Sequence, residues 1–346
     1  MNKEKMMDMR MGRICEVQRK LYTLESECGA VKAQLRGAFY RADMDQPVIG
    51  DYVMFDYNPV GVSFIREVLE RKSILKRPDQ AGHAAGFVKN MKEQLLAANF
   101  DYVFIVVSLN NDYNLNRITR YITVTLQGGA KPVVILSKAD LCKDKEKYME
   151  EVSSISEKAD VCLVSALTGE GMESLFPYLK EGSTIVLAGS SGVGKSTIVN
   201  AISGKNLMKV SEIRESDSKG HHTTTHRQLF TLPSGVTIID SPGIRELGMC
   251  DVDEGLENTF SDIAELIGQC RFTDCRHMTE PGCAIRGAIR EQTLSKSRWE
   301  LYCSLYEENK LSTVKSGGER SRKTKSNLSG FKCRKGEECD RSERFR

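Results

Sequence analysis

From Gly12 to about Pro78 the chain alternates short apolar and polar runs, broken at Gly29-Ala30, Asp43–Pro47 and Asn58–Gly61 by turn-favouring residues. That rhythm predicts the short strands of a small all-β barrel. From Tyr102 the pattern changes to continuous apolar runs at Tyr102–Val107, Pro132–Leu136, Val161–Val164, Thr184–Ala188 and Val236–Ile239, spaced by amphipathic stretches. Strands apolar on both faces and separated by helices predict a parallel α/β sheet. Between the two regions, Gln80–Leu96, with Gly82, Ala84, Ala85 and Gly86, predicts a linker running into a short helix. After Gly255 the pattern turns helical, interrupted by a cluster of Cys and His. The expected organisation is a barrel over 1–78, an α/β domain over 79–252, a helical domain over 253–312 and a tail over 313–346.

Gly189-Ser190-Ser191-Gly192-Val193-Gly194-Lys195-Ser196 follows the apolar run Thr184–Ala188 and opens a helical stretch, the context a phosphate-binding loop requires. Glycines let the backbone wrap around phosphate, and the helix N-terminus adds partial positive charge. Lys195 is expected to bridge the β- and γ-phosphates and the Ser196 hydroxyl to bind Mg²⁺. Ser137-Lys138-Ala139-Asp140 lies at the end of Pro132–Leu136, where a carboxylate can reach a bound base. Asp140 is expected to accept the N1–H and 2-amino protons of guanine. Adenine offers neither donor, so a buried Asp140 would discriminate against ATP. Lys138 would lay its stem over the base.

Ser165-Ala166-Leu167, after Val161–Val164, can offer backbone donors to the guanine oxygen. Asp240-Ser241-Pro242-Gly243, after Val236–Ile239, fits a tight loop in which Asp240 holds Mg²⁺ through water and the Gly243 amide meets the γ-phosphate. Gly220-His221-His222-Thr223-Thr224-Thr225 is polar, as a switch segment supplying Thr224 to Mg²⁺ would be. The base-reading residues precede the phosphate loop, the reverse of the usual order. The predicted fold is therefore a circularly permuted P-loop GTPase core.

Cys270-x₄-Cys275-x-His277-x₅-Cys283 places three thiols and one imidazole within 14 residues, which suits a single closed, structural Zn²⁺ site without catalysis. Eleven cysteines, an odd number and scattered, fit reduced thiols better than a disulfide framework. No apolar run approaches the roughly 18 residues of a membrane span, and Met1–Met11 lacks an apolar export core, so the expectation is cytoplasmic. The net charge of +3 hides a basic end: from Lys315 to Arg346 eleven Lys or Arg face five Asp or Glu. Lys323, Lys325, Lys332, Arg334 and Lys335 there are candidates to fold against RNA; Cys333 and Cys339 receive no role. In the barrel region Lys32, Arg36, Arg41, Arg71, Lys72, Lys76 and Arg77 interleave with Phe39, Tyr40 and Tyr52. These residues suit an oligonucleotide-binding (OB) barrel and, equally, a solvated β surface over core aromatics. The spacing of Trp299, Tyr302 and Tyr306 predicts a helix packed on the core.

A barrel, a permuted nucleotide core and a Cys-Cys-His-Cys cluster together resemble the bacterial small-ribosomal-subunit-dependent GTPases that assist 30S maturation. The resemblance runs from about Gly12 to Leu311 and is most specific at Gly189–Thr197, Gly220–Thr225, Asp240–Gly243 and Cys270–Cys283, including Glu280-Pro281-Gly282. It implies an OB barrel, GTP/GDP with Mg²⁺, binding to the 30S subunit and 16S rRNA near the decoding region, further assembly factors as partners, a monomer, and hydrolysis stimulated by the subunit. It also implies that His222 positions or activates water, because Ile244 stands where many GTPases keep a Gln. Two residues depart from the family pattern. Ser137 replaces the usual Asn or Thr, which predicts a looser tie to the phosphate loop, and His221 replaces Arg. The rival readings are a signalling or transport GTPase with protein partners, and a nucleic-acid-dependent ATPase or kinase.

Overall fold

The computed structural model describes residues 8–18, 20–36, 46–78, 93–109, 113–205, 208, 227–240, 247–249 and 251–315. Strands β1 (Met9–Gln18), β2 (Leu21–Ser26), β3 (Gly29–Leu35), β4 (Tyr52–Asp56) and β5 (Ser63–Val68) pair in the order β1-β2-β3-β5-β4, and β4 returns to β1. The barrel is closed, with β3 and β5 parallel and the other pairs antiparallel. Period-two alternation fixes which side faces inward: Val31, Ala33 and Leu35 of β3 are buried, while Lys32 and Gln34 between them are exposed. Ile14, Leu24, Val53, Phe55 and Ile65 complete this core.

Two cation groups that composition offered as RNA contacts are committed elsewhere. Arg71 clamps the fully buried Asp51, with Nε 2.8 Å from Oδ1 and Nη2 2.9 Å from Oδ2. Arg36 and Arg66 both donate to the buried Asp56, at 2.7 and 2.5 Å. Buried carboxylates demand such partners, so these guanidinium groups belong to the barrel itself.

The segment expected to run into a short helix ends instead in strand β7 (Glu93–Ala98), antiparallel to β6 (Ile74–Pro78). Leu96, Ala97 and Ala98 are buried there, and extended pairing satisfies their backbone. The α/β unit follows the apolar runs. Strands β8 (Tyr102–Ser108), β9 (Lys131–Ser137), β10 (Asp160–Leu163), β11 (Thr184–Ala188) and β13 (Thr237–Asp240) lie parallel in the order β10-β9-β8-β11-β13. β12 (Arg227–Thr231) joins antiparallel to β13 and pairs on its other side with β1, so barrel and sheet form one run of eleven strands. On β8, Val103, Ile105 and Val107 enter one core while Phe104 and Val106 enter the other.

Helix α1 (Leu115–Gln127) is capped by Asn114, whose side chain accepts from the Arg117 amide at 3.0 Å. It covers one face of the sheet and receives the C-terminal helices α4 (Asp253–Thr259), α5 (Ser261–Gly268), α6 (Ala284–Arg290) and α7 (Lys296–Lys315). Gly255 of α4 sits so close to α1 that an added Cβ would lie 2.4 Å from the Thr123 carbonyl oxygen, and its amide donates to Gln127 Oε1 at 2.7 Å. Arg120 of α1 pairs with Glu308 of α7 at 2.7 Å. Trp299, Tyr302 and Tyr306 pack on the core as their spacing predicted, ring stacked on ring at 5.5 and 6.0 Å. Gly255→Ala should therefore cost about 1–3 kcal/mol in reversible unfolding through overpacking. Gly268→Ala, with nothing within 4 Å of the new methyl, should be neutral or stabilise by up to ~1 kcal/mol.

Candidate nucleotide and metal sites

β11 ends at Ala188 and the chain turns through Gly189–Gly194 into α3 (Lys195–Ser203). Gly189 has φ +130°, and a Cβ there would lie 2.2 Å from the Val106 carbonyl oxygen on β8. Only glycine lets the loop start this close to the neighbouring strand. Gly192 and Gly194 also hold positive φ, at 76° and 99°, while Val193 between them anchors the loop in the core. Lys195 Nζ donates to the carbonyls of Gly189 and Ser190 at 2.7 and 2.5 Å, so its ammonium spans the loop mouth. Ser191 is exposed, and Ser196 and Thr197 stand half-buried in the first turn of α3.

The segment 137–140 is tied to this loop by one hydrogen bond. Ser137, buried at the end of β9, has a single hydroxyl proton; it donates to the Val193 carbonyl at 2.6 Å, with the Val107 carbonyl 3.2 Å away. The looser tie expected from a serine here is not what the structure has: strand and loop approach closely enough for the short side chain to reach. Lys138 then takes a left-handed conformation, φ 58°, and Ala139–Leu141 form a 3₁₀ turn. The Ala139 amide donates to the Val164 carbonyl at 3.2 Å, which lays this turn beside the loop after β10. Ser165 is buried and its hydroxyl donates to Asp140 Oδ1 at 2.6 Å. Asp140 itself is exposed, not buried as the sequence argument assumed, because it stands at the open end of the sheet. Gly169 donates to the Ser165 carbonyl at 2.8 Å, closing a turn that presents Ala166. Lys145, the first residue of α2 (Lys145–Ser153), pairs with Glu170 and braces the same turn, a contact that sequence spacing did not reveal.

Asp240 ends β13, beside β11. Residues 137–140, 165–166, 189–196 and 240 thus stand at the C-terminal ends of adjacent parallel strands, where α/β sheets bind ligands. His221, His222, Thr224, Gly243 and Ile244, like Phe39, Tyr40, Arg41, Cys333 and Cys339, lie outside the described residues.

Cys270, Cys275, His277 and Cys283 converge between α5 and α6, with one ligand atom from each inside a 4.8 Å group. His277 Nδ1 lies 3.5 Å from Cys270 Sγ and 3.4 Å from Cys283 Sγ. Ligand atoms on a tetrahedral zinc stand about 3.5–3.8 Å apart, so the donor set and spacing fit that ion. Desolvation pushes the Cys275 thiol up to about 12 and holds His277 below its ordinary value. A neutral imidazole offers its lone pair, and thiols this dry ionise where a cation compensates them. Glu280's own backbone amide, together with the amides of Met278, Arg276 and Thr279 that donate to it at 2.9, 3.2 and 3.0 Å, holds its carboxyl down to about 2, and these bonds fix the loop between the second and fourth ligands.

Ser137→Ala should cost about 1–3 kcal/mol of nucleotide binding, since it leaves the Val193 carbonyl without this donor; titration with a fluorescent GDP reads it. Glu280→Ala should speed zinc transfer to a chromophoric chelator while leaving GDP affinity unchanged.

The sequence model of the RsgA GTPase family matches residues 68–250. Small ribosomal subunit biogenesis GTPase RsgA 1 of Listeria innocua is 45% identical over 299 residues, covering 86% of this chain and 83% of that protein. The protein of that name from Methanosarcina acetivorans is 43% identical over 279 residues, covering 80% and 73%. Among solved structures, YjeQ from Thermotoga maritima matches with TM-score 0.64 at 27% identity, covering 90% of this chain and all (100%) of that one. YloQ, described as a circularly permuted GTPase, matches with TM-score 0.60 at 25% identity over 90% and 98%.

Proposed function

The chain belongs to the RsgA GTPase family and is a GTP hydrolase of small-ribosomal-subunit biogenesis; we propose that it acts late in 30S maturation, seated on 16S rRNA. The observation that carries the nucleotide reading is the pair of short hydrogen bonds, Ser137 to Val193 and Ser165 to Asp140, joining three strand-end segments into one site.

In this reading Asp140, oriented by Ser165, takes the two guanine donors, and the base itself covers the exposed carboxylate. Adenine would leave that carboxylate capped and unpaired, which supplies the preference for GTP. Lys138 lies along the base, and Ala166 offers its amide to the guanine oxygen. Gly189–Gly194 wrap the phosphates, with Ser190, Ser191 and Thr197 at the wall, and Lys195 exchanges its loop carbonyls for the β- and γ-phosphates. Mg²⁺, when bound, neutralises charge between those phosphates. Ser196, Thr224 and, through water, Asp240 would hold it, while Gly243 meets the γ-phosphate and His222 positions water.

The zinc site takes no part in hydrolysis; it holds a surface. Arg271, Arg276, Arg286 and Arg290 are exposed around it, with Phe272 beneath Arg271 at 5.5 Å. Among the described residues none of the four pairs with a carboxylate. Free guanidinium groups beside an exposed ring suit RNA phosphate and base, and they support 16S rRNA as partner. Action as a cytoplasmic monomer, alongside other assembly factors, completes the proposal; among the described residues no helix is long and apolar enough to cross a membrane. The relatives' names favour this reading over a signalling or transport GTPase, and Asp140 disfavours an ATPase.

The test is GTP turnover by the zinc-loaded protein alone, with 30S subunits and with 50S subunits, ATP serving as control. No Arg finger or Gln is evident in the sequence, and partner-completed GTPase sites gain about 10³ to 10⁵ in rate. Strong stimulation by 30S alone is expected, abolished by His222→Ala and weakened by salt. Equal turnover with either subunit, or with ATP, would refute the proposal.

A further inference from the structure

β12 is the seam between barrel and nucleotide sheet, and its register carries a pattern that neither half shows alone. Asp240 of β13 stands opposite Gln228 of β12, Gln228 opposite Glu16 of β1, Glu16 opposite Thr23 of β2, and Thr23 opposite Lys32 of β3. All four pairings are antiparallel, so these residues share one face of the sheet. The result is a row of five polar side chains across five strands, from the lip of the nucleotide site to an exposed cation on the barrel. The next pairs along the β12–β13 seam, Leu229 with Ile239 and Phe230 with Ile238, are apolar.

The barrel end of the row is fixed. Thr23 Oγ1 donates to Glu16 Oε2 at 2.9 Å, Gln18 Nε2 donates to Oε1 at 2.6 Å, and Lys32 Nζ lies 2.6 Å from Thr23 Oγ1 and 3.4 Å from Oε2. Glu16 is therefore a held carboxylate, 22% exposed, beside the strand that carries Gln228. The nucleotide end depends on that strand. Register between β13 and β11 runs from Thr237 to Ile239 and stops short of Asp240, whereas register with β12 reaches Asp240 at Gln228. β12 in turn meets the barrel at two positions, Glu16 with Gln228 and Val17 with Arg227. β12 has four cross-strand pairs with β13 and two with the barrel, so each contact on the barrel side carries a large share of that junction.

We propose that Glu16, held by Thr23 and Lys32, is a positioning residue for GTP hydrolysis: through Gln228 it fixes β12 and so sets where Asp240 presents its carboxylate to Mg²⁺. This rests on reading Asp240 as the magnesium carboxylate. It also makes the barrel part of the catalytic apparatus: whatever engages Lys32 at the barrel surface acts on the first link of a row that ends at Asp240.

The experiment measures the Mg²⁺ concentration for half-maximal GTP turnover by the full chain with 30S subunits, together with fluorescent GDP affinity in EDTA. Glu16→Ala should raise the Mg²⁺ requirement about 2- to 30-fold, the range that couplings through packed networks span, and leave magnesium-free GDP affinity unchanged. Glu16→Gln, which keeps an acceptor for Thr23, should recover most of the shift. Gln228→Ala should reproduce it, and the double variant should add nothing, because both changes cut one line. A purely structural role would instead lower thermal stability and GDP affinity together and would not be recovered by Gln. An unchanged Mg²⁺ requirement in Glu16→Ala, or additive effects in the double variant, would overturn the proposal. If Glu16→Ala does not fold, Gln228→Ala carries the same test, since Gln228 is exposed. Asp240→Asn separates the premise: if it too leaves the Mg²⁺ requirement unchanged, the reading of Asp240 is wrong.

Discussion

Strand β8 turns Val103, Ile105 and Val107 to one side and Phe104 and Val106 to the other, and all five are buried. A parallel sheet with two apolar faces must be covered twice, because either face left in water forfeits roughly 25 cal/mol for every Å² of apolar surface. α3 covers one face with Ile198 and Val199. The other face needs more than α1 provides, and Phe260, Ile263, Ile285, Leu294, Tyr302 and Leu305 of the C-terminal helices and their connections share its core. The helical region is therefore continuous with the nucleotide-binding unit, and Gly255 and Gln127 mark how closely the two are fitted.

Covering both faces leaves the strand ends as the place for chemistry, and this explains why a permuted chain keeps an intact site. The glycine-rich loop follows β11, the turns at 137–140 and 165–166 follow β9 and β10, and Asp240 ends β13; all lie on one edge because these strands are parallel. Chain order does not enter that geometry. What must be preserved is contact between segments, and here two side-chain hydroxyls preserve it: Ser137 reaches from β9 to the phosphate loop, and Ser165 reaches from the β10 loop to Asp140.

The sequence disclosed those features whose physics is local. Apolar runs located all five parallel strands, the glycines at 189, 192 and 194 announced backbone conformations that other residues resist, and the spacing of Cys270, Cys275, His277 and Cys283 announced a tetrahedral set. Long-range effects were hidden. Nothing near Glu93 says that its segment will pair with β6, since that requires knowing that Ile74–Pro78 lies alongside. Counting Arg36 and Arg71 as free cations failed because Asp56 and Asp51, 20 residues away in each case, claim them after folding. The tie made by Ser137 depends on a strand-to-loop distance that no residue type encodes.

The same reasoning changes where the RNA-facing charge is expected. A guanidinium paired with a buried carboxylate offers little to an incoming phosphate, because breaking the pair would strand that carboxylate's charge in the core. The barrel's arginine content therefore overstates its electropositive surface, while Arg271, Arg276, Arg286 and Arg290 remain available on the zinc lobe. Those four sit on or beside helices α5 and α6 of 8 and 7 residues, too short to be stable alone, since isolated helices below about 12–15 residues are marginal in water. Zinc on the four ligands would supply on the order of 10 kcal/mol in such a site and, with Glu280 holding the intervening loop, would give that surface a fixed shape. A metal held there would thus contribute to RNA binding without touching the nucleotide: it would order cations that a short, loop-rich segment could not otherwise hold in place.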